Sequence, residues 1–141
     1  LTLTGELILG GIEVDLSKTD DQVTTYNGIA NSAVQKGFNN VDLSLLATNG
    51  LGSLITANNS GSRIVGSNSD DLIFGGIGND IFTGGSGTDR IRGLGGLDTA
   101  IYSGSYDNYS ISLEGEKIII TDTTRSKDLK NIRFLYTEKG Q

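Results

Sequence analysis

Bulky apolar residues recur on a strict nine-residue interval at Leu46, Ile55, Ile64, Ile73, Phe82 and Ile91, with Ala100 as the seventh mark. Each mark is the centre of a three-residue run, such as Leu54-Ile55-Thr56 or Ile81-Phe82-Thr83, and the six residues between runs are mostly Gly, Ser, Asn and Asp. A three-residue strand cannot bury itself. Stacked on copies at ~4.8 Å, it forms a parallel sheet in which every backbone group is paired. The pattern therefore predicts rows Thr48–Thr56, Ala57–Val65, Gly66–Phe74, Gly75–Thr83, Gly84–Arg92 and Gly93–Ile101, with the marks stacked into a thin core. Glycines in the six-residue reversals permit the positive-φ and close-approach conformations such tight turns need.

The flanks read differently. In residues 1–47, Leu7-Ile8-Leu9, Ile12–Leu16 and Val41–Leu43 have the look of short strands, and Ile12, Val14 and Leu16 alternate with acidic residues. A short helix is expected around Ile29–Lys36. In residues 102–141, Tyr109–Leu113, the turn Glu114-Gly115-Glu116 and Lys117–Thr121 predict a hairpin, followed by a strand near Ile132–Tyr136. The expected division is a β-rich flank at 1–47, the repeat at 48–101 and a capping segment at 102–141. Leu54, Leu72 and Ile81 point outward, and a flank is expected to cover them.

Two positions before the last four marks stands an aspartate: Asp71, Asp80, Asp89 and Asp98. The first two rows carry Ser53 and Ser62 there instead. Carboxylates repeating up a stack repel; two unit charges ~5 Å apart at an effective dielectric of about 20 cost roughly 3 kcal/mol. A cation in each gap removes that cost. Carboxylate and carbonyl oxygens on flexible loops suit calcium better than magnesium, and without nitrogen or sulfur donors they do not suit zinc. Asp15, Asp20, Asp21 and Asp42 are read as solvated turn residues, and Asp70 as a solvated neighbour of Asp71 that could also reach a metal.

Composition narrows the chemistry. The chain has no cysteine and no histidine, which removes thiol, disulfide and imidazole chemistry. Its net charge of −6 is uneven: residues 1–116 carry −9 and residues 117–141 carry +3. So acidic a body is a poor binder of nucleic acid or anionic membrane and suits cations. No stretch nears the ~18 apolar residues of a membrane span. The sequence opens on Leu1 with no charged segment before an apolar core, and it is expected to be a piece of a longer parent chain.

Gly75-Gly76-Ile77-Gly78-Asn79-Asp80-Ile81-Phe82-Thr83 and Gly84-Gly85-Ser86-Gly87-Thr88-Asp89-Arg90-Ile91-Arg92 resemble the haemolysin-type calcium-binding nonapeptide of repeats-in-toxin (RTX) proteins. The segment Thr99–Gly104 resembles what often follows such repeats, and Val14-Asp15-Leu16-Ser17 and Gly37-Phe38-Asn39-Asn40-Val41-Asp42-Leu43-Ser44 resemble pieces that precede them in some large bacterial surface proteins. The resemblance implies an all-β fold, a parallel β-roll (a β-helix or solenoid) in which two nonapeptides make one coil. Loops eighteen residues apart would then share a calcium ion, pairing Asp71 with Asp89 and Asp80 with Asp98. Backbone oxygens at Gly66, Asn68, Gly75, Ile77, Gly78, Gly84, Ser86, Gly87, Gly93 and Gly95 would complete the shells. Two sites are expected, with a weaker third.

The reading that follows is a calcium-binding structural domain, not an enzyme, from a secreted or cell-surface bacterial protein of the RTX type, exported by type I secretion and folding on calcium outside the cell. Two other classes stay open. One is a calcium-stabilised adhesion module with a cell-surface or glycan ligand, for which Tyr102, Tyr106 and Tyr109 would offer a stacking platform, although such a cluster more often packs the end of a roll. The other is an accessory domain of an exported enzyme.

Overall fold

The computed structural model describes residues 5–8, 12–20, 22–26, 29–30, 37–48, 51–103, 105–114, 117–122 and 131–137. These residues form an all-β structure whose one helical element is a single 3-10 turn at Tyr106–Asn108. In the N-terminal part lie β1 (Gly5–Ile8), β2 (Ile12–Asp15), β3 (Val23–Tyr26), β4 (Ile29–Ala30) and β5 (Val41–Asp42). The repeat supplies β6 (Leu46–Thr48), β7 (Leu54–Thr56), β8 (Arg63–Val65), β9 (Leu72–Phe74), β10 (Ile81–Thr83), β11 (Thr88–Leu94) and β12 (Thr99–Ala100). After it come β13 (Tyr109–Glu114), β14 (Lys117–Asp122) and β15 (Asn131–Thr137).

Successive rows go to different sheets. One sheet runs β12-β10-β8-β5, the other β13-β14-β15-β11-β9-β7-β2-β3-β4, and β1 pairs with β6 in a third. Within the repeat every pairing is parallel and offset by eighteen residues: Leu54 opposite Leu72, Leu72 opposite Arg90, Arg63 opposite Ile81, Ile81 opposite Thr99. That is the interval two nonapeptides per coil require. The N-terminal strands extend the ladders, Val14 opposite Ile55 and Val41 opposite Ile64.

The marks face inward. Val14, Ile55, Ile73 and Ile91 line one wall and Val41, Ile64 and Phe82 the other, each at most 2% exposed. Fully burying one such side chain contributes about 1.5–3 kcal/mol. At the N-terminal end Gln22 is buried with its amide fully used. It donates to the carbonyls of Phe38, Lys18 and Leu16 at 2.8, 3.1 and 3.3 Å and accepts the Phe38 N–H at 2.8 Å. At the other end Tyr102 packs against the core, edge-on to Tyr109 at 5.6 Å, and the Tyr109 hydroxyl donates to the Ser103 carbonyl.

Several sequence expectations are corrected. Ile29–Ala30 is a strand antiparallel to β3, not the start of a helix; pairing with Thr25–Tyr26 outweighs a weak helical preference. Residues 31–36 lie outside the described residues, as do Leu9, Asp21, Glu114's turn partners 115–116 and the Tyr106 side chain. β11 has seven residues because β15 pairs along its length. Among the described residues no flank lies across Leu72 and Ile81, which are 36% and 38% exposed, while Leu54 is half-buried. The reason is topological, since β2 and β15 join the sheet edge-on beside β7 and β11 and do not lie across its face. The hairpin β13–β14 forms with Ile111 opposite Ile120, and β15 occupies the expected final strand.

Candidate metal centre

Each loop is held by the strand ladders on either side of it. The N–H of Gly66 donates to the Thr83 carbonyl at 2.9 Å and that of Gly75 to Arg92 at 2.7 Å, so the ladder runs one residue past each strand. It resumes where Arg90 and Thr99 donate to the backbone carbonyls of Asp71 and Asp80, both at 2.8 Å. Between those two fixed points the loop has no room to drift, and its aspartate is turned inward.

One oxygen of every aspartate does the same job. Oδ1 of Asp71, Asp80, Asp89 and Asp98 accepts the N–H eighteen residues earlier, at Ser53, Ser62, Asp71 and Asp80, over 2.6, 2.7, 2.9 and 2.9 Å. The second oxygen divides them. Asp71 Oδ2 accepts the Ser67 N–H at 2.7 Å, and Ser67 Oγ donates to Asp71 Oδ1 at 2.8 Å. Asp80 Oδ2 accepts the Gly76 N–H at 2.9 Å. Oδ2 of Asp89 and of Asp98 are buried with no hydrogen-bond partner. A buried carboxylate oxygen without a donor is costly, and its usual relief is a proton or a cation.

The space around these oxygens is built for them. A Cβ at Gly66, Gly75, Gly84 or Gly93 would strike the carboxylate of Asp71, Asp80, Asp89 or Asp98, five residues on. Two of the neighbouring glycines, Gly85 and Gly87, have φ of 105° and 104°, which other residues adopt only with strain. Carbonyl oxygens meet the loop stacked beside them: a Cβ on Gly66 would touch that of Gly84, on Gly75 that of Gly93, on Gly85 that of Ser67, and on Gly96 that of Gly78. The donor set in each gap is therefore carboxylate and carbonyl oxygen. Among the described residues no three acidic side chains converge, so a cation here draws most of its ligands from the backbone. Calcium accepts six to eight oxygens in flexible geometry, and this set fits it.

The electrostatics agree. Burial pushes Asp89 up to about 7, aided by the charges of Asp71 and Asp70 and opposed by the Asp71 N–H. Burial also raises Asp71 to about 6 against the hydrogen bonds from Ser53 and Ser67. Asp98 is raised as well, by burial and then by the charge of Asp80. Asp42 moves the other way, lowered by the Ser44 hydroxyl and N–H that it accepts. Asp15 accepts from Ser17 in the same fashion; both aspartates are half-buried last residues of strands β2 and β5 and not solvated turn residues, because the ladders take in the residue after Val14 and Val41.

The structure stacks the loops 66–71 on 84–89 and 75–80 on 93–98, bringing Asp71 to Asp89 and Asp80 to Asp98. This last loop has Leu94 and Gly95 where the two loops before it have a glycine and a side chain, and the change does not disturb the Asp98 bond. Asn68 and Ile77 are exposed, so only their backbones are available to a gap.

Three features escaped sequence reading. Ser67 serves Asp71 as an internal donor. Asp70 is not merely solvated, since its Oδ1 accepts the Thr88 N–H at 2.7 Å. The residue two past each mark also tapers in size up the stack: Leu16, Ala57, Gly75 and Gly93 on one side, Leu43, Gly66 and Gly84 on the other. Leu16 and Leu43 are fully buried, filling with hydrocarbon the position that glycine leaves open for carboxylates. The signal was present in the paired Val-Asp-Leu-Ser segments, which put leucine where the repeat has glycine.

Parallel strands offset by two nonapeptides, with oxygen-lined gaps between paired acidic loops, are consistent with a β-roll. Residues 59–100 match the family model of the RTX calcium-binding nonapeptide repeat in four copies. No curated protein and no solved structure matches the chain. Among the described residues no helix is long and apolar enough to cross a membrane.

Proposed function

We propose that residues 48–101 form a parallel β-roll that takes up calcium between loops 66–71 and 84–89 and between loops 75–80 and 93–98, and that calcium binding supplies the free energy that completes its folding. The observation that carries this reading is the pair of buried, partnerless oxygens, Asp89 Oδ2 and Asp98 Oδ2, within a matched calcium-binding repeat. Metal that binds only the ordered loops turns its binding free energy into folding free energy. The earlier rows carry no charge at the aspartate position: Ser53 Oγ is buried without a partner but neutral, and Ser62 is satisfied within its loop. In the Ser62 row, the Asn58 N–H donates to the Ser62 hydroxyl at 2.8 Å, a neutral version of the Gly76–Asp80 bond.

In this reading the domain is structural and not catalytic, with residues 1–47 and 102–141 as its flank and cap. It works outside the cell as part of a secreted or surface RTX-type protein. Extracellular calcium modules have dissociation constants of about 10⁻⁴–10⁻³ M, so the loops fill there and stay empty in a calcium-poor cytosol. The test is a calcium titration followed by far-UV circular dichroism and calorimetry. The expected result is β-structure gained on uptake of about two ions per chain and lost on chelation. A chain equally ordered in excess chelator overturns the coupling to folding.

A further inference from the structure

Aspartates are not the only side chains that cross from coil to coil. Asp70 and Asn79, both exposed, stand just before Asp71 and Asp80. Asp70 Oδ1 accepts the Thr88 N–H at 2.7 Å, and Asn79 Oδ1 accepts the Leu97 N–H at 2.8 Å, each eighteen residues ahead. The next residue in each loop bonds through its own N–H to the same neighbouring loop, Asp71 to Asp89 Oδ1 and Asp80 to Asp98 Oδ1. Two bonds of opposite direction thus join 70–71 to 88–89, and two more join 79–80 to 97–98.

The steps before these lack the second bond. Gly52 and Gly61 precede Ser53 and Ser62, so of the side-chain bonds only those to the carboxylates of Asp71 and Asp80 cross there, beside the ladder bonds from Leu72 and Ile81. The double clasp falls on the two steps whose carboxylate oxygens lie buried without a partner. Its outer members differ in charge. The first step carries three carboxylates, Asp70, Asp71 and Asp89, and the second carries two, Asp80 and Asp98, with the neutral Asn79.

We infer that Asp70 and Asn79 are positioning residues that hold each pair of loops in register from outside, and that the Asp70 carboxylate makes the gap between Asp71 and Asp89 the tighter of the two calcium sites. The inference rests on the calcium reading above. A hydrogen bond from Thr88 fixes the backbone beside Asp89 before any ion arrives, which lowers the ordering cost of binding. Asp70 is not a ligand, but its charge is felt at Asp89 and adds to the field that attracts a cation there. Because Asp70 is exposed, its charge acts through solvent and is screened by salt.

The test uses the native chain and the variants Asp70→Ala, Asp70→Asn and Asn79→Asp. Calcium isotherms at low and high salt are paired with amide exchange at Thr88 and Leu97. The native isotherm is expected to show two steps. Asp70→Ala weakens the tighter step about tenfold, as the loss of a charge-assisted hydrogen bond implies, and speeds exchange at Thr88 but not at Leu97. Asp70→Asn keeps an oxygen acceptor, so Thr88 stays protected; the tighter step weakens about threefold at low salt and less at high salt. Asn79→Asp strengthens the weaker step. Native affinity in Asp70→Ala overturns the positioning role, and so does unchanged exchange at Thr88. Two steps left unaltered by Asp70→Asn overturn the ranking. If the native chain takes up no calcium, the proposed function fails on its own, the ranking falls with it, and Thr88 exchange in Asp70→Ala against Asp70→Asn still decides the clasp.

Discussion

Replacing Asp89 with asparagine should reverse the sign of its effect on stability when calcium is added. Asp89 is 0% exposed, and burial raises it from 3.8 to about 7. Between those values the folded chain holds a proton that the unfolded chain releases, so stability without metal falls as pH rises through this window and levels off above it. At about pH 8 the charged carboxylate costs the metal-free fold about 4 kcal/mol at most. Asparagine removes the charge and keeps an oxygen for the Asp71 N–H, but it buries an amide nitrogen that needs an acceptor, a loss of about 1–3 kcal/mol. The net is a gain of about 1–3 kcal/mol in chelator, which raises Tm by roughly 3–10 °C in a chain of this size. At about pH 5 native Asp89 is already protonated and the gain disappears. In about 10 mM calcium the variant loses a metal ligand and melts below the native protein. Differential scanning calorimetry under these conditions reads all three outcomes. An Asp89→Asn chain that melts below native at about pH 8 in chelator would refute the claim that an uncompensated buried charge limits the metal-free fold.

Other outcomes follow from the same geometry. Gly84→Ala pushes a methyl into the Asp89 carboxylate and should abolish the calcium-induced circular dichroism change, whereas Gly37→Ala meets nothing within 4 Å and should keep it despite its strained φ. Ser67→Ala strips Asp71 of its hydroxyl donor and should cost about 1–2 kcal/mol in chelator by thermal melt, with the deficit shrinking in calcium. Phe82→Ala empties a fully buried mark and should cost about 3–5 kcal/mol whether or not calcium is present, as chemical denaturation would register.

The repeat was legible because its physics is periodic. A nine-residue interval leaves one inward residue per strand, so Ile55, Ile64, Ile73, Phe82 and Ile91 declared the core and the strand centres together, and the aspartates declared the gaps. What escaped depends on contacts between coils. That Asp71 and Asp80 accept the N–H of Ser67 and Gly76 at Oδ2 while Asp89 and Asp98 accept none there goes with the positive φ of the equivalent residues Gly85 and Leu94, a backbone difference that leaves the hydrophobic pattern untouched. The Asp70 bond to Thr88 joins residues with no shared pattern. Leu16 and Leu43 were visible as apolar residues, but their role appears only when the ladders align them with Gly75 and Gly66. The strand at Ile29–Ala30 depends on finding β3 as a partner, which a local reading of a Gly- and Asn-rich stretch does not disclose.

The alternation of rows between two sheets has a consequence for what lengths the chain tolerates. Because partners are eighteen residues apart, excising Gly66–Thr83 would remove one whole turn of the spring and let Ile55 meet Ile91 with every later side chain on its original wall. Excising nine residues would instead pass every later strand to the opposite wall. Asp98 would then sit above Asp71, and β15, which closes the wall containing β11, would face the wrong strand. Growth and loss in this molecule are therefore counted in pairs of repeats, and a single nonapeptide is half a unit.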